Sequence, residues 1–103
     1  MTSQEKYSHI YFLSTTRSEQ GTIFDKIVYK VGFSNNFNRF MDRYYSAPHT
    51  RIMMAMAVPR NLAKSLAKIL KKIFEHKSER YNKEYLNGEP NSMRRKIFEV
   101  CSI

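Results

Sequence analysis

One short stretch of the chain, residues 29–39, brings together side chains that suit phosphate chemistry. It reads YKVG at 29–32 and continues as FSNNFNR, which ends at Arg39. The guanidinium of an arginine can donate two hydrogen bonds to phosphate oxygens, and its charge stabilises negative charge that develops there. The stretch therefore predicts a strand, a glycine turn and a helix that presents an arginine to a phosphate group.

The overall charge of the chain favours the same kind of ligand. Its 103 residues include 18 Lys and Arg but only 9 Asp and Glu, which gives a formal net charge of +9. From Arg43 to Lys72 there are seven basic residues and no acidic one. Such an imbalance favours a polyanion such as DNA, RNA or an acidic membrane surface. The longest apolar run, residues 52–58, is too short to cross a bilayer, so no membrane partner is predicted.

Length and cysteine content restrict the organisation of the protein. The length predicts one domain over residues 1–103, with a core at about 8–77 and a C-terminal extension at 78–103. The single cysteine, Cys101, excludes an internal disulfide and zinc sites built from several thiolates. Residues 1–6 are polar and lack the apolar core of a secretory signal. These features predict a soluble intracellular protein.

Hydrophobic periodicity indicates the elements that position the YKVG stretch. Residues 9–14 and 26–33 alternate in the manner of strands, and they predict an antiparallel hairpin. Asn35 or Asn36 is predicted to cap a helix that ends at Pro48.

The second half of the chain predicts three further elements. Residues 52–58 form a strand apolar enough to be central, and Asn61 is predicted to cap the long helix that follows it. Residues 95–101 are predicted as a last edge strand. The expected fold is α+β, with a small, mainly antiparallel sheet in the order β-β-α-β-α-(α)-β flanked by helices.

These elements resemble the GIY-YIG nuclease family. The first strand carries HIY at 9–11, the second carries YKVG at 29–32, and a helix with Arg39 or Arg43 follows. The chain is most similar to the short phage- and virus-type branch, whose second motif reads Tyr-Lys-Ile-Gly before a Thr-Asn or Ser-Asn turn and an arginine. The likeness extends from Ser8 to about Phe74. It implies a GIY-YIG-like fold and a location in the cytoplasm or nucleus of an infected host cell.

The resemblance also implies a reaction, the hydrolysis of a phosphodiester assisted by one hard cation such as Mg²⁺. In the family a tyrosine helps to activate water, an arginine stabilises the phosphate, and a glutamate on the later helix holds the metal. Gly32 matches the turn glycine, and Arg43 is a substitute for the arginine. Matched residue by residue, the implied catalytic residues are Tyr11, Tyr29 or Lys30, and Arg39.

One position departs from the family pattern. Ala67 stands where the glutamate belongs, and it is expected at the border of the helix's apolar stripe, facing a cleft. A carboxylate is the natural ligand for a hard cation. Because alanine replaces it here, the sequence identifies no metal ligand. Glu75, Glu79 or Glu84 would replace the missing acid only in a different helix register.

Three functions are consistent with these observations. The favoured one is a basic nucleic-acid-binding domain with a degraded nuclease site. The alternatives are an active endonuclease that cleaves DNA with Mg²⁺, and a viral protein with a structural or protein-interaction role. The expected partner is nucleic acid, with DNA favoured over RNA, and the oligomeric state is open, a homodimer included. The predicted phosphate contacts are Arg43, Arg60, Lys64, Lys68, Lys71 and Lys72.

Each candidate also has a purely structural explanation. Tyr11 and Tyr29 are by default half-buried aromatic residues on strands. The lysines are by default the solvated face of a helix. Ala55 and Ala57 are small residues that are expected to let a helix approach the sheet closely.

Overall fold

The computed structural model describes residues 6–18, 25–77 and 85–102 as an α+β fold. A three-stranded antiparallel sheet is flanked by helices, as the sequence predicts. No described helix is both long and apolar enough to span a bilayer. Glu79 and Glu84 lie outside the described residues. In chain order the elements are β1 (Tyr7–Ser18), β2 (Asp25–Ser34), α1 (Phe37–Tyr44), β3 (Thr50–Pro59), α2 (Arg60–Lys77) and α3 (Pro90–Cys101).

The sheet has the strand order β2-β1-β3. The predicted hairpin of β1 and β2 is confirmed, with Tyr11 opposite Gly32. The prediction that the third strand is central is wrong, because β3 pairs only with β1 and forms an edge of the described sheet. Its apolar composition has another cause, since Met54 and Met56 pack partly buried against the main core.

Alternation along β1 divides the core into two clusters. Ile10 and Phe12 point to one side of the sheet, which α2 and α3 cover, and we call this side the α2 face. Tyr11 and Leu13 point to the other side and pack with Phe40 of α1, and we call this side the α1 face. The main cluster lies on the α2 face, and the cluster on the α1 face is smaller.

Two asparagines position the start of α1. Asn36 is the N-cap, and its side-chain oxygen accepts a hydrogen bond from the backbone N–H of Arg39 at 3.0 Å. The Asn35 side chain instead accepts a hydrogen bond from the hydroxyl of Ser8, which is fully buried on β1. The turn after β2 is therefore tied both to the central strand and to the helix that carries the arginines.

Helix α2 follows β3 without a loop. The prediction that Asn61 caps this helix is wrong, because the helix already begins at Arg60. The backbone N–H of Arg60 donates a hydrogen bond to the carbonyl of Lys6 at 2.9 Å. The buried side of α2 consists of residues spaced three and four apart, as expected for an amphipathic helix. These residues are Ala63, Leu66, Ala67, Leu70 and Phe74.

The last predicted strand, at 95–101, is wrong, because Pro90–Cys101 forms helix α3. The Glu89 carboxylate caps its N-terminus, and a proline follows at the first helical turn, where its missing N–H costs nothing. Met93, Ile97 and Cys101 are buried, whereas Arg95 and Glu99 between them are exposed. A strand would place all five side chains on one face, so this pattern is that of a helix.

The C-terminal segment belongs to the main core. Leu86 pairs with Tyr29 of β2 through two backbone hydrogen bonds of 2.8 and 2.9 Å. Its side chain is buried in the main cluster, together with three residues of α3. The predicted core boundary near residue 77 is therefore too early.

The cap of α3 makes stability depend on pH. Hydrogen bonds from the backbone N–H groups of Asn91 and Ser92 lower the pKa of the Glu89 carboxyl. A lowered folded-state pKa stabilises the fold above the unfolded-state pKa, and this contribution is lost as the pH falls through the folded-state value. We expect Glu89→Gln to lower the melting temperature at pH 7 and this effect to shrink as the pH falls through the folded-state pKa of Glu89, as followed by circular dichroism.

The matched control is Glu99→Gln. This substitution removes a carboxylate from the same helix, one that makes an exposed ion pair of 3.1 Å with Lys96. If both substitutions lowered the melting temperature by the same amount at pH 7, Glu89 would have no special role as a cap.

Candidate nucleic-acid interface

Tyr11 occupies a space that only a glycine opposite it allows. Tyr11 and Gly32 are paired across β1 and β2, so their side chains share the α1 face. A Cβ added to Gly32 would lie 2.5 Å from Cζ of Tyr11. The tyrosine ring therefore crosses the position of the missing side chain, and it stacks on Phe40 with ring centroids 4.8 Å apart.

A cleft beside this ring contains both arginines of α1. We call it the arginine cleft, and its volume is about 130 Å³. Arg39 and Arg43 are four residues apart, so they lie on the same flank of the helix. The residues lining the cleft include Tyr11, Ser34, Arg39, Phe40, Arg43 and Tyr44.

A second cleft of about 150 Å³ adjoins the first one, and we call it the lysine cleft. Lys30 lies on the same face of the sheet as Tyr11, because it is paired with Leu13, which is two residues further along β1. Arg43 and Tyr44 line both clefts and so connect them. The α1 face thus brings Tyr11, Lys30 and Arg39 together, as the motif match implies.

The two arginines of α1 give the clefts positive charge that no described ion pair neutralises. Arg39 and Arg43 are exposed, and neither forms an ion pair with a described side chain. The guanidinium carbon of Arg43 lies 5.1 Å from the centroid of the Tyr44 ring. No described acidic side chain lines either cleft. Among the described residues, no carboxylate therefore competes with an anion for Arg39 and Arg43.

Tyr29 is not part of this site. It points to the α2 face, where it is buried and stacks on Phe12 with ring centroids 5.4 Å apart. Burial raises the pKa of its hydroxyl, and the nearby Glu89 carboxylate raises the pKa further. Both the position and the direction of the pKa shift disfavour Tyr29 as a base, so Lys30 is the second-motif residue that shares a face with Tyr11.

The predicted phosphate contacts are divided between two sides of the sheet. Arg43 lies on the α1 face, whereas α2 packs on the α2 face and directs its lysines away from the sheet. A single nucleic-acid strand that contacted both sets would have to pass around an edge of the sheet. Five basic residues of α2 are exposed, and they are Arg60, Lys64, Lys68, Lys71 and Lys72.

The described residues do not fit the Mg²⁺ site that the resemblance implies. Ala67 is only 2% exposed and belongs to the main core, so the prediction that it faces a cleft is wrong. Glu75 is exposed on the same helix, across the sheet from Tyr11. Among the described residues, no group of three or more His, Cys, Asp or Glu side chains lies close enough together to hold a metal ion.

Two features of the α1 face are not evident from the sequence. Tyr44 lines both clefts, although its helical spacing from Phe40 indicates only a packed aromatic residue. Ala55 and Ala57, predicted to lie beneath a helix, are exposed instead. The physical reason is that they lie on the edge strand β3, on the face opposite α2 and α3.

Comparisons of the chain with protein-family models, with curated proteins and with solved structures find no match. The resemblance to the GIY-YIG family therefore stays a prediction that depends on the motifs at 9–11 and 29–39.

The contact between Tyr11 and Gly32 predicts that Gly32→Ala is destabilising. The new methyl group meets the packed ring of Tyr11 rather than the end of a flexible side chain. Either β2 or the ring therefore has to shift, which lowers the free energy of unfolding by about 1–3 kcal/mol. Urea denaturation measures this loss. Gly88→Ala is the control, because the added Cβ there meets the flexible Met93 side chain, with the sulfur at 2.7 Å. Equal losses in both variants would contradict the packing constraint on Tyr11.

The burial of Ala67 predicts that restoring the family glutamate fails. Ala67→Glu places a carboxylate in an apolar core without a partner, which costs about 3–5 kcal/mol and removes a large part of a typical domain's stability. Thermal denaturation measures the loss. Lys68→Glu is the control, because it introduces the same side chain at the adjacent exposed position. A stable Ala67→Glu variant that cleaves DNA with Mg²⁺ would contradict the placement of this side chain.

Proposed function

We propose that this chain is a nucleic-acid-binding domain that holds phosphate groups in the two clefts of its α1 face. One observation carries the proposal: Arg39, Arg43 and Lys30 converge on adjoining clefts that no described acidic side chain lines. Two arginines on one helical flank can donate forked hydrogen bonds to one phosphate or to neighbouring phosphates. The excess of basic residues over the whole chain supports a polyanion rather than a single small anion.

The same geometry supports binding without cleavage. Metal-assisted hydrolysis needs a carboxylate that holds the cation near the phosphate. The residue matched to the family's glutamate is a buried alanine on the other side of the sheet, and of the two residues matched to the second-motif tyrosine, Lys30 is the one that lines a cleft. We therefore infer a site that keeps the phosphate-binding side chains of a nuclease-like arrangement and lacks its metal-binding acid.

The lysines of α2 form a second basic surface in this proposal. They lie across the sheet from the clefts, and a solvated lysine face by itself gives contacts that carry little sequence information. The two surfaces make different predictions, because only the α1 face combines arginines with a concave site. Variants with the same change in net charge can therefore separate a local site from general attraction.

The test measures affinity for a DNA duplex by fluorescence anisotropy over a series of salt concentrations. The double variant Arg39→Ala with Arg43→Ala removes two charges from the clefts. If each arginine neutralises one phosphate, the slope of log affinity against log salt becomes shallower by about 1.8. Lys68→Ala with Lys72→Ala removes the same charge from α2 and is expected to weaken binding less.

Other outcomes would change the conclusion. Equal losses in the two double variants would show general charge attraction rather than a site on the α1 face. Absence of binding at low salt would reject the proposal and favour a structural or protein-interaction role. Parallel reactions with Mg²⁺ or EDTA test the endonuclease alternative: metal-dependent cleavage that requires Arg39 and Tyr11 would show that the protein is an active enzyme.

A further inference from the structure

Aromatic rings form a continuous row across the α1 face. The row begins with His9 and Phe37, whose ring centroids are 4.4 Å apart, and it continues from Phe37 to Phe40 at 5.9 Å. Phe40 contacts both Tyr11, at 4.8 Å, and Tyr44, at 5.4 Å. Rings from β1 and from both turns of α1 thus touch one another from one end of the helix to the other.

Only the ends of this row reach solvent. The middle rings, Phe40 and Tyr11, are 3% and 9% exposed, whereas Phe37 is 37% exposed and Tyr44 is half-buried. An exposed ring that rests on buried rings is held in place, so a ligand that stacks on it immobilises little that was free before. Phe37 and Tyr44 are seven residues apart, which is about 10 Å along a helix axis.

The surroundings of the row suit a flat, negatively charged ligand. Arg39 and Arg43 lie between and beside the two ends, and both are exposed. Ala57 is paired with His9 and Ala55 with Tyr11, so these small exposed side chains share the α1 face and leave the sheet open there. A planar group can therefore approach the His9 and Phe37 rings along the sheet.

We infer that the α1 face binds single-stranded nucleic acid, with unpaired bases stacked on Phe37 and Tyr44 while Arg39 and Arg43 hold the phosphates. This inference rests on the proposed function and narrows its substrate class. In a duplex the faces of the bases are covered by their neighbours, so an exposed ring of the protein finds no base face to stack on. Unpaired bases present both faces. Phosphate contacts alone do not distinguish the two forms.

The test compares three probes of equal length: an oligothymidylate of 12 nucleotides, a 12-unit abasic deoxyribose-phosphate chain with the same charge, and a 12-base-pair duplex. The oligothymidylate is expected to bind about a hundredfold more tightly than the abasic chain, which corresponds to stacking of two bases at about tenfold each. Phe37→Leu keeps an apolar side chain but removes the ring. It is expected to reduce this difference to about tenfold, because the Tyr44 ring still stacks one base, and to leave the affinity for the abasic chain unchanged.

Tyr45→Leu is the matched control, because Tyr45 is 76% exposed beside Tyr44 but makes no contact within the row of rings. It is expected to change neither affinity, and circular dichroism confirms that both variants are folded. Equal affinity of the wild-type protein for the oligothymidylate and the abasic chain would overturn the stacking inference but leave phosphate binding intact. Preference for the duplex would also overturn it. Failure to bind any probe would overturn the proposed function itself.

Discussion

The central strand β1 buries apolar side chains on both of its faces, and the positions of the helices follow from this constraint. Ile10 and Phe12 are fully buried on one face, and Tyr11 and Leu13 are buried on the other. Successive side chains of a strand point to opposite faces, so neither face of β1 is left to water. Helix α1 covers one side, and α2 with α3 covers the other.

This two-sided burial separates residues that are close together in the sequence. Tyr29 and Lys30 are neighbours in one motif, yet one is in the main core and the other is in a cleft on the α1 face. The long basic stretch of the chain is divided in the same way, because its arginine on α1 and its lysines on α2 flank opposite faces of the sheet. A surface defined by counting charges along the chain is therefore not one surface in the folded protein.

Local patterns were sufficient to predict the hairpin and to restrict the cap of α1 to two asparagines, of which Asn36 is the cap. Each depends on residues within a few positions of one another. The position of β3 at the edge depends on pairing with a distant strand, and the side to which Ala67 points depends on packing. Helix α3 is an intermediate case, because Met93, Ile97 and Cys101 stand four apart in the sequence, a spacing that a helix and a strand can both place on one face.

The burial of Cys101 makes the last helix a natural reporter of core opening. It is the one cysteine of the chain, and it lies at the end of α3 against the main cluster. Burial raises the pKa of its thiol, so little reactive thiolate forms in the closed state. A thiol reagent reaches it when the end of α3 opens, so the rate of alkylation measures how often this part of the core is exposed.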